Sequence, residues 1–240
     1  MLVTRPEPDA SDTAGRLDAL GIATLKAPML TQEVLTTSLP DAEGFGAMAV
    51  TSANALRALA ARGVLDRYLE LPLYAVGART AALARQMGFG RVETGGGTVA
   101  QLVELLGTAP ISGPILYASG REVTGDLGRA LAPTGRMVIT AEVYAMVAAE
   151  NLPEAAASAI ASGRVAAALF YSTRSAAVFA QLTAGLTRQV KSRLGVICLS
   201  ESVALPLVDA HFVRVALADH PSEEAMMGLA LSFARDENAP

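Results

Sequence analysis

A chain of 240 residues that is 52 % hydrophobic and 18 % charged holds ample material for one large or two small buried cores, and such a composition excludes a disordered chain. Its net charge of −4 offers no global basic field to nucleic acid or anionic lipid. A single cysteine, Cys198, excludes an intramolecular disulfide and a cysteine-cluster metal site, and His211 and His220 have no partners spaced for zinc.

In chain order, short apolar runs alternate with helical stretches, the pattern of parallel strands covered by helices. Residues 2–4 predict the first strand, with Arg5 just past it, and residues 22–27 the second. Residues 47–51 predict a strand that leads through Thr51 and Ser52 into a helix over 53–62. Strands over 73–76 and 91–93 follow, with helices over 80–87 and 99–106. Strands at 115–118 and 137–141 precede a strand at 167–171, which leads through Ser172 and Thr173 into a helix over 175–182. Residues 195–199, where Cys198 reads as a buried structural thiol, and 212–215 complete the strands, and 223–233 is the last predicted helix. Ten strands suit two five-stranded domains better than one open sheet. No basic-then-apolar leader opens the chain and no apolar stretch reaches membrane-spanning length, so a soluble, cytoplasmic protein without a membrane partner is expected.

The chain also repeats itself. Ala49-Val50-Thr51-Ser52-Ala53-Asn54 matches Leu169-Phe170-Tyr171-Ser172-Thr173-Arg174, each an apolar strand, a hydroxyl-rich turn and a helix start. Leu73-Tyr74-Ala75-Val76-Gly77-Ala78-Arg79-Thr80 matches Val196-Ile197-Cys198-Leu199-Ser200-Glu201-Ser202-Val203, and the strand before Arg5 matches the one before Gly120-Arg121. Two copies of one doubly wound sheet are therefore encoded. Ligands of such sheets gather beyond the carboxyl ends of the strands, where this chain concentrates its small polar residues.

Several of these segments resemble the uroporphyrinogen-III synthase family. They are Val3-Thr4-Arg5-Pro6, the turns at 50–55 and 74–81, Leu116-Tyr117-Ala118-Ser119-Gly120-Arg121-Glu122, and Glu142-Val143-Tyr144, joined by residues 171–176 and Cys198-Leu199-Ser200-Glu201. Their order and spacing extend the resemblance over nearly the whole chain. It implies an α/β protein of two flavodoxin-like, doubly wound parallel-sheet domains joined by a two-stranded linker. Residues 1–33 would join 147–240 in one discontinuous domain, 36–143 would form the other, and 31–35 and 143–147 would be the linker strands. The repeats alone fit tandem halves equally well.

The resemblance further implies a lyase that cyclises and dehydrates hydroxymethylbilane, a linear tetrapyrrole with eight carboxylates, with no metal or cofactor. A monomer is expected, in at most transient contact with the preceding or following enzyme of its pathway. Tyr144 falls at the family's tyrosine position, and a neutral phenol can donate a proton to a departing hydroxyl. Carboxylates would be held at helix starts by backbone amides and by Thr51, Ser52, Asn54, Gly77, Thr80, Gly120, Ser172, Ser175, Ser200 and Ser202. Arg5, Arg79, Arg121 and Arg174 would add bidentate contacts. The competing reading of each hydroxyl is ordinary helix capping, which needs no ligand. Where the family often carries consecutive threonines this chain has Ser202-Val203, and Val203 has no hydroxyl to give.

Two other functions fit parts of the pattern. Gly95-Gly96-Gly97-Thr98-Val99-Ala100 follows a strand as a dinucleotide fingerprint would, which suggests a two-domain sugar-nucleotide-dependent transferase. It follows a late strand rather than the first, and the matching loop at Asp219-His220-Pro221-Ser222 has no glycine. A non-enzymatic, hinged small-molecule-binding protein would share the polar strand ends but turn nothing over.

Overall fold

The unbroken apolar runs become strands buried on both faces. In Ala47–Val50, Ala167–Phe170 and Gly195–Cys198 every residue is buried, as happens only where helices cover a parallel sheet on both sides. The computed structural model describes residues 1–122 and 125–237. The chain opens with β1 (Leu2–Val3), α1 (Asp9–Ala19), β2 (Leu25–Lys26) and β3 (Leu30–Val34). Next come β4 (Ala47–Val50), α2 (Ala53–Ala61), β5 (Leu73–Ala75), α3 (Ala78–Gln86), β6 (Val92–Thr94), α4 (Val99–Thr108), β7 (Ile115–Gly120), α5 (Leu127–Leu131) and β8 (Val138–Ala148). The last stretch forms α6 (Glu154–Ala161), β9 (Ala167–Phe170), α7 (Thr173–Leu182), α8 (Arg188–Arg193), β10 (Gly195–Cys198), α9 (Glu201–Asp209), β11 (Arg214–Leu217) and α10 (Glu223–Glu237).

These elements make two compact units. A terminal unit comprises Met1–Thr31 with Val147–Pro240, and an inserted unit comprises Gln32–Met146. The terminal unit holds a five-stranded parallel sheet in the order β11-β10-β9-β1-β2. Read from β2, that is the flavodoxin-like order 2-1-3-4-5. Alternate residues feed opposite cores: Leu2, Ala168, Phe170, Val196 and Cys198 pack with Phe179, Ala204 and Leu207, while Val3, Leu169 and Ile197 pack with Leu17, Met226 and Ala230. Cys198 is wholly buried, as its apolar run implied, and burial pushes its thiol up to about 12.

The inserted unit holds six strands in the order β3-β8-β7-β4-β5-β6. From β8 to β6 all are parallel, and the repeat maps them one by one onto the other sheet, β4 onto β9, β5 onto β10 and β7 onto β1. The sixth strand departs from the five-plus-five expectation. Leu35 donates to Val143 and Ala149 donates to Met29, so β3 runs antiparallel to the second half of a long β8. Met48, Val50, Leu73, Leu116 and Val143 face α2 and α3, whereas Ala47, Ala49, Ile115 and Tyr117 face α4 and α5.

Three of the larger shifts in strand bounds have local reasons. Only Leu25–Lys26 of the predicted 22–27 pairs, because the Ile22 amide closes the end of α1 on the Leu17 carbonyl. β11 starts at Arg214 rather than Phe212, whose amide closes α9 on Leu207 beside His211 at φ 68°. β8 runs past the predicted 141 to Ala148 because β3 pairs with its extension.

Candidate active site

In an open α/β sheet the ligand crevice lies beyond the carboxyl ends, where the strand order reverses. In the inserted unit that reversal falls between β4 and β7, with Val50 in register with Ala118. Thr51 leaves β4 there and its hydroxyl lies 2.9 Å from that of Tyr117, which rises from β7 on the same face. Burial pushes the Tyr117 phenol up, and the hydrogen bond with Thr51 pulls part of the way back.

Tyr144 reaches the same place through an irregularity in β8. Ser119 is in register with Glu142, but Gly120 is in register with Tyr144, so one extra residue bulges from β8 between them. The slip sets Tyr144 instead of Val143 opposite Gly120. A side chain at Gly120 would collide with the ring: a Cβ there would stand 2.8 Å from Cζ and 3.0 Å from the hydroxyl of Tyr144. Gly120 is thus required by the close approach of the ring and has no side chain of its own to bind with. The phenol opens on a cavity of 300 Å³ lined by Thr51, Val99, Tyr117, Glu122, Gly125, Leu127 and Tyr144. Among the described residues the Tyr144 hydroxyl has no hydrogen-bond partner.

The helix starts of this unit divide into two kinds. Ser52 caps α2 by accepting from the Asn54 amide at 3.2 Å, while α3 begins at Gly77 with no side-chain cap. The Asn54 side chain accepts from Arg57 at 2.9 Å, and its carbonyl accepts from Gln32. Thr80 is buried in the first turn of α3 and Arg79 is exposed. Arg121 is exposed, meets Glu142 at 3.4 Å, and donates its amide to the Tyr144 carbonyl.

The terminal unit repeats the helix starts and sets a cluster of charged and aromatic side chains at its own strand reversal. Ser172 caps α7 by accepting from the Ser175 amide and donates its own proton to the buried Ser175 hydroxyl. α9, the counterpart of α3, likewise starts without a side-chain cap, and the Ser200 and Ser202 hydroxyls lie 3.0 Å apart at its head. Val203, the departure from the family pattern, belongs to the core. Arg174 is exposed. At the strand reversal between β1 and β9, Arg5 donates to Asp9 at 2.6 Å, to Glu223 at 3.0 Å and to Thr13 at 3.2 Å, and stacks 4.3 Å over the Tyr171 ring. Tyr171 donates to Glu223, and burial followed by the Glu223 charge raises its phenol well above the usual range. Side chains of this unit therefore fill the position that stands open in the inserted one.

The glycine-rich loop has a packing cause. A Cβ at Gly95 would meet the backbone of Leu102 at 2.7 Å, and the start of α4 is closed by a capping box between Thr98 and Gln101. An anion would find two of those amides, Thr98 and Gln101, already taken. Both histidines are exposed, and no cluster able to hold a metal ion occurs among the described residues. No helix among them is long and apolar enough to cross a membrane. Tyr117, Glu122 and Tyr171 were not singled out by sequence reasoning. The signal for Tyr117 was a hydroxyl-bearing ring inside an otherwise apolar strand, since a buried phenol needs a partner.

Duplicated doubly wound sheets with uncapped helix starts, and a phenol at one strand reversal, define a two-domain α/β protein of the doubly wound class. The chain belongs to the uroporphyrinogen-III synthase family: the family model described as uroporphyrinogen-III synthase HemD matches residues 11–228. It is accordingly a cyclising lyase of tetrapyrrole biosynthesis, which replaces the sugar-nucleotide and binding-protein readings. The fold is similar to that of uroporphyrinogen-III synthetase from Helicobacter pylori, with 21 % identity, a TM-score of 0.67, and coverage of 96 % of this chain and 98 % of that one. A mutant uroporphyrinogen III synthase from Thermus thermophilus shares 17 % identity at a TM-score of 0.56, with 98 % of each chain covered. No curated protein sequence matches the chain.

Proposed function

We propose that hydroxymethylbilane reacts at the strand-reversal pocket of the inserted unit, with Tyr144 as the acid that releases its hydroxyl. The observation that carries this reading is the Tyr144 phenol, unpartnered among the described residues and set over Gly120 at the rim of the 300 Å³ cavity. A proton passed from Tyr144 to the hydroxymethyl oxygen lets the C–O bond break. Water departs and an electrophilic azafulvene remains. The substituted carbon of ring D attacks it to give a spiro intermediate, which fragments and recloses with ring D inverted. Loss of a pyrrole proton then balances the one supplied. The sequence expels only water and is redox-neutral, so it calls for no electron carrier.

Spontaneous closure proceeds without inversion and gives the symmetric isomer, so the substrate has to be held bent before water leaves. The uncapped starts of α3 at Gly77 and α9 at Ser200 suit carboxylates, because their first amides lack side-chain acceptors. Thr51, Ser202 and the capping residues Ser52 and Ser172 add hydroxyls at the same strand ends, while the buried Thr80 and Ser175 set the first turns of α3 and α7 from within. Arg121, Arg79 and Arg174 are the exposed arginines of this set, and the exposed Arg121–Glu142 pair is weak enough to exchange for a substrate carboxylate. Asn54 shapes the first turn of α2, and Arg5 acts as a structural cation. Each unit by itself thus offers local positions for carboxylates despite the chain's net charge of −4. We further propose that the enzyme works in the cytoplasm as a monomer, in transient contact with its pathway neighbours.

The test is to supply hydroxymethylbilane and separate the type I and type III products. Wild-type protein yields type III, and Tyr144→Phe slows it severalfold, up to about 10²-fold. A wild-type rate in that variant removes Tyr144 from the mechanism, and exclusive formation of type I by the wild type removes the pocket.

A further inference from the structure

Tyr117 lies at the floor of the Tyr144 pocket, 3 % exposed, on a strand whose other residues are apolar or small. Its hydroxyl has one partner among the described residues, the Thr51 hydroxyl at 2.9 Å. Either oxygen can donate in such a pair, but a phenol is the more acidic and so the better donor. Thr51 then accepts from Tyr117, and its own proton is released from that bond. Thr51 is half-buried and lines the cavity, so this proton has the cavity to turn to. Burial keeps the Tyr117 phenol protonated throughout the range in which an enzyme of this kind works, and its direction of donation does not switch with pH.

We propose that Tyr117 is a positioning residue: by donating to Thr51 it turns the Thr51 hydroxyl proton into the pocket, where that proton binds one carboxylate of the substrate. The inference rests on the reading that hydroxymethylbilane occupies this pocket, and it deepens that reading by assigning part of the anion recognition to a residue that need not touch the substrate. Without the phenol, Thr51 is free to turn its proton toward the strand ends, and the pocket loses a fixed donor. Binding should suffer while the Tyr144 proton transfer does not. The signature is a split between KM and kcat that a general loss of packing would not give.

The experiment measures steady-state kinetics with hydroxymethylbilane for wild type, Tyr117→Phe, Thr51→Val, Thr51→Ser and the Tyr117→Phe/Thr51→Val double variant. Tyr117→Phe is expected to raise KM roughly 10–100-fold, the effect of one hydrogen bond to a charged group, with kcat nearly unchanged. Thr51→Val raises KM by a similar factor, Thr51→Ser keeps most of the affinity that valine loses, and the double variant is no worse than Thr51→Val alone. An unchanged KM in Tyr117→Phe overturns the proposal, as does a further rise of the same size when it is added to Thr51→Val. Should Tyr117→Phe fold poorly, a wild-type KM in Thr51→Val overturns it independently. Wild-type production of the type III isomer is read first, so failure of the assigned function shows in the wild type and failure of this inference shows only in the variants.

Discussion

Gly120→Ala probes the geometry of the reacting phenol without touching a functional group. The new Cβ would lie 2.8 Å from Cζ, 2.9 Å from Cε2 and 3.0 Å from the hydroxyl of Tyr144. Comfortable contact between such atoms needs about 3.5–4.0 Å. The tip of the ring must therefore move by roughly 1 Å, and a half-exposed tyrosine can do so by swinging toward solvent. Stability should change little, by less than about 1 kcal/mol, at the low end of the cost of overpacking. Catalysis should change far more, because a misplacement of about 1 Å can cost up to about 10²-fold in rate. Initial rates of type III formation, read beside a thermal melt, separate the two effects. In the Tyr144→Phe background there is no hydroxyl to misplace, so adding Gly120→Ala should lower kcat no further. A wild-type kcat in Gly120→Ala, with melting unchanged, would refute the claim that the approach of the Tyr144 ring to Gly120 sets the chemistry.

Three further outcomes follow from contacts elsewhere. Arg5→Met leaves Asp9 and Glu223 without their shared cation, with side chains only 21 % and 24 % exposed, and should destabilise the terminal unit by about 2 kcal/mol in a urea melt; an unchanged midpoint would make the network ornamental. Gly95→Ala drives a methyl into the Leu102 backbone and should cost about 1–3 kcal/mol in the inserted unit, whereas a neutral result by calorimetry would mean that the loop yields. Cys198, its thiol pushed up to about 12, should resist alkylation in the native state and react only on unfolding. Since the unfolded thiol ionises near 9, its contribution to stability is complete below that pH and is lost as pH rises toward 12; rapid native-state labelling at pH 8 would contradict this burial.

The strands that the sequence displayed most clearly are those sealed on both faces, such as Gly195–Cys198, because an unbroken apolar run of that length between turn residues suits little else. β3 is different: Leu30–Val34 reads Leu-Thr-Gln-Glu-Val, half exposed, and only the family resemblance suggested a strand there. The helix starts were legible because each follows such a strand with Ser or Gly. What those starts do was not, since a serine that caps α2 and one that leaves α9 uncapped look alike in a row of letters. Arg5 and Arg121 match in the repeat, yet one sits among carboxylates and the other is exposed, because Asp9 and Glu223 come from helices with no sequence proximity to each other. The bulge that brings Tyr144 opposite Gly120 depends on pairing between strands and leaves no mark in the letters.

The discontinuity of the terminal unit has a bearing on its biosynthesis. β1 lies inside its sheet, with β2 on one side and β9 on the other, and Leu2 pairs with Ala168. At about 5–20 residues per second, the ribosome makes that partner roughly 8–30 s after the strand itself. All of Gln32–Met146 has been synthesised by then, so the inserted unit can fold while Leu2 and Val3 still wait for their second neighbour, β9. During that interval β1 can pair with β2 alone, and its other, apolar edge stays open to any extended segment that emerges before β9.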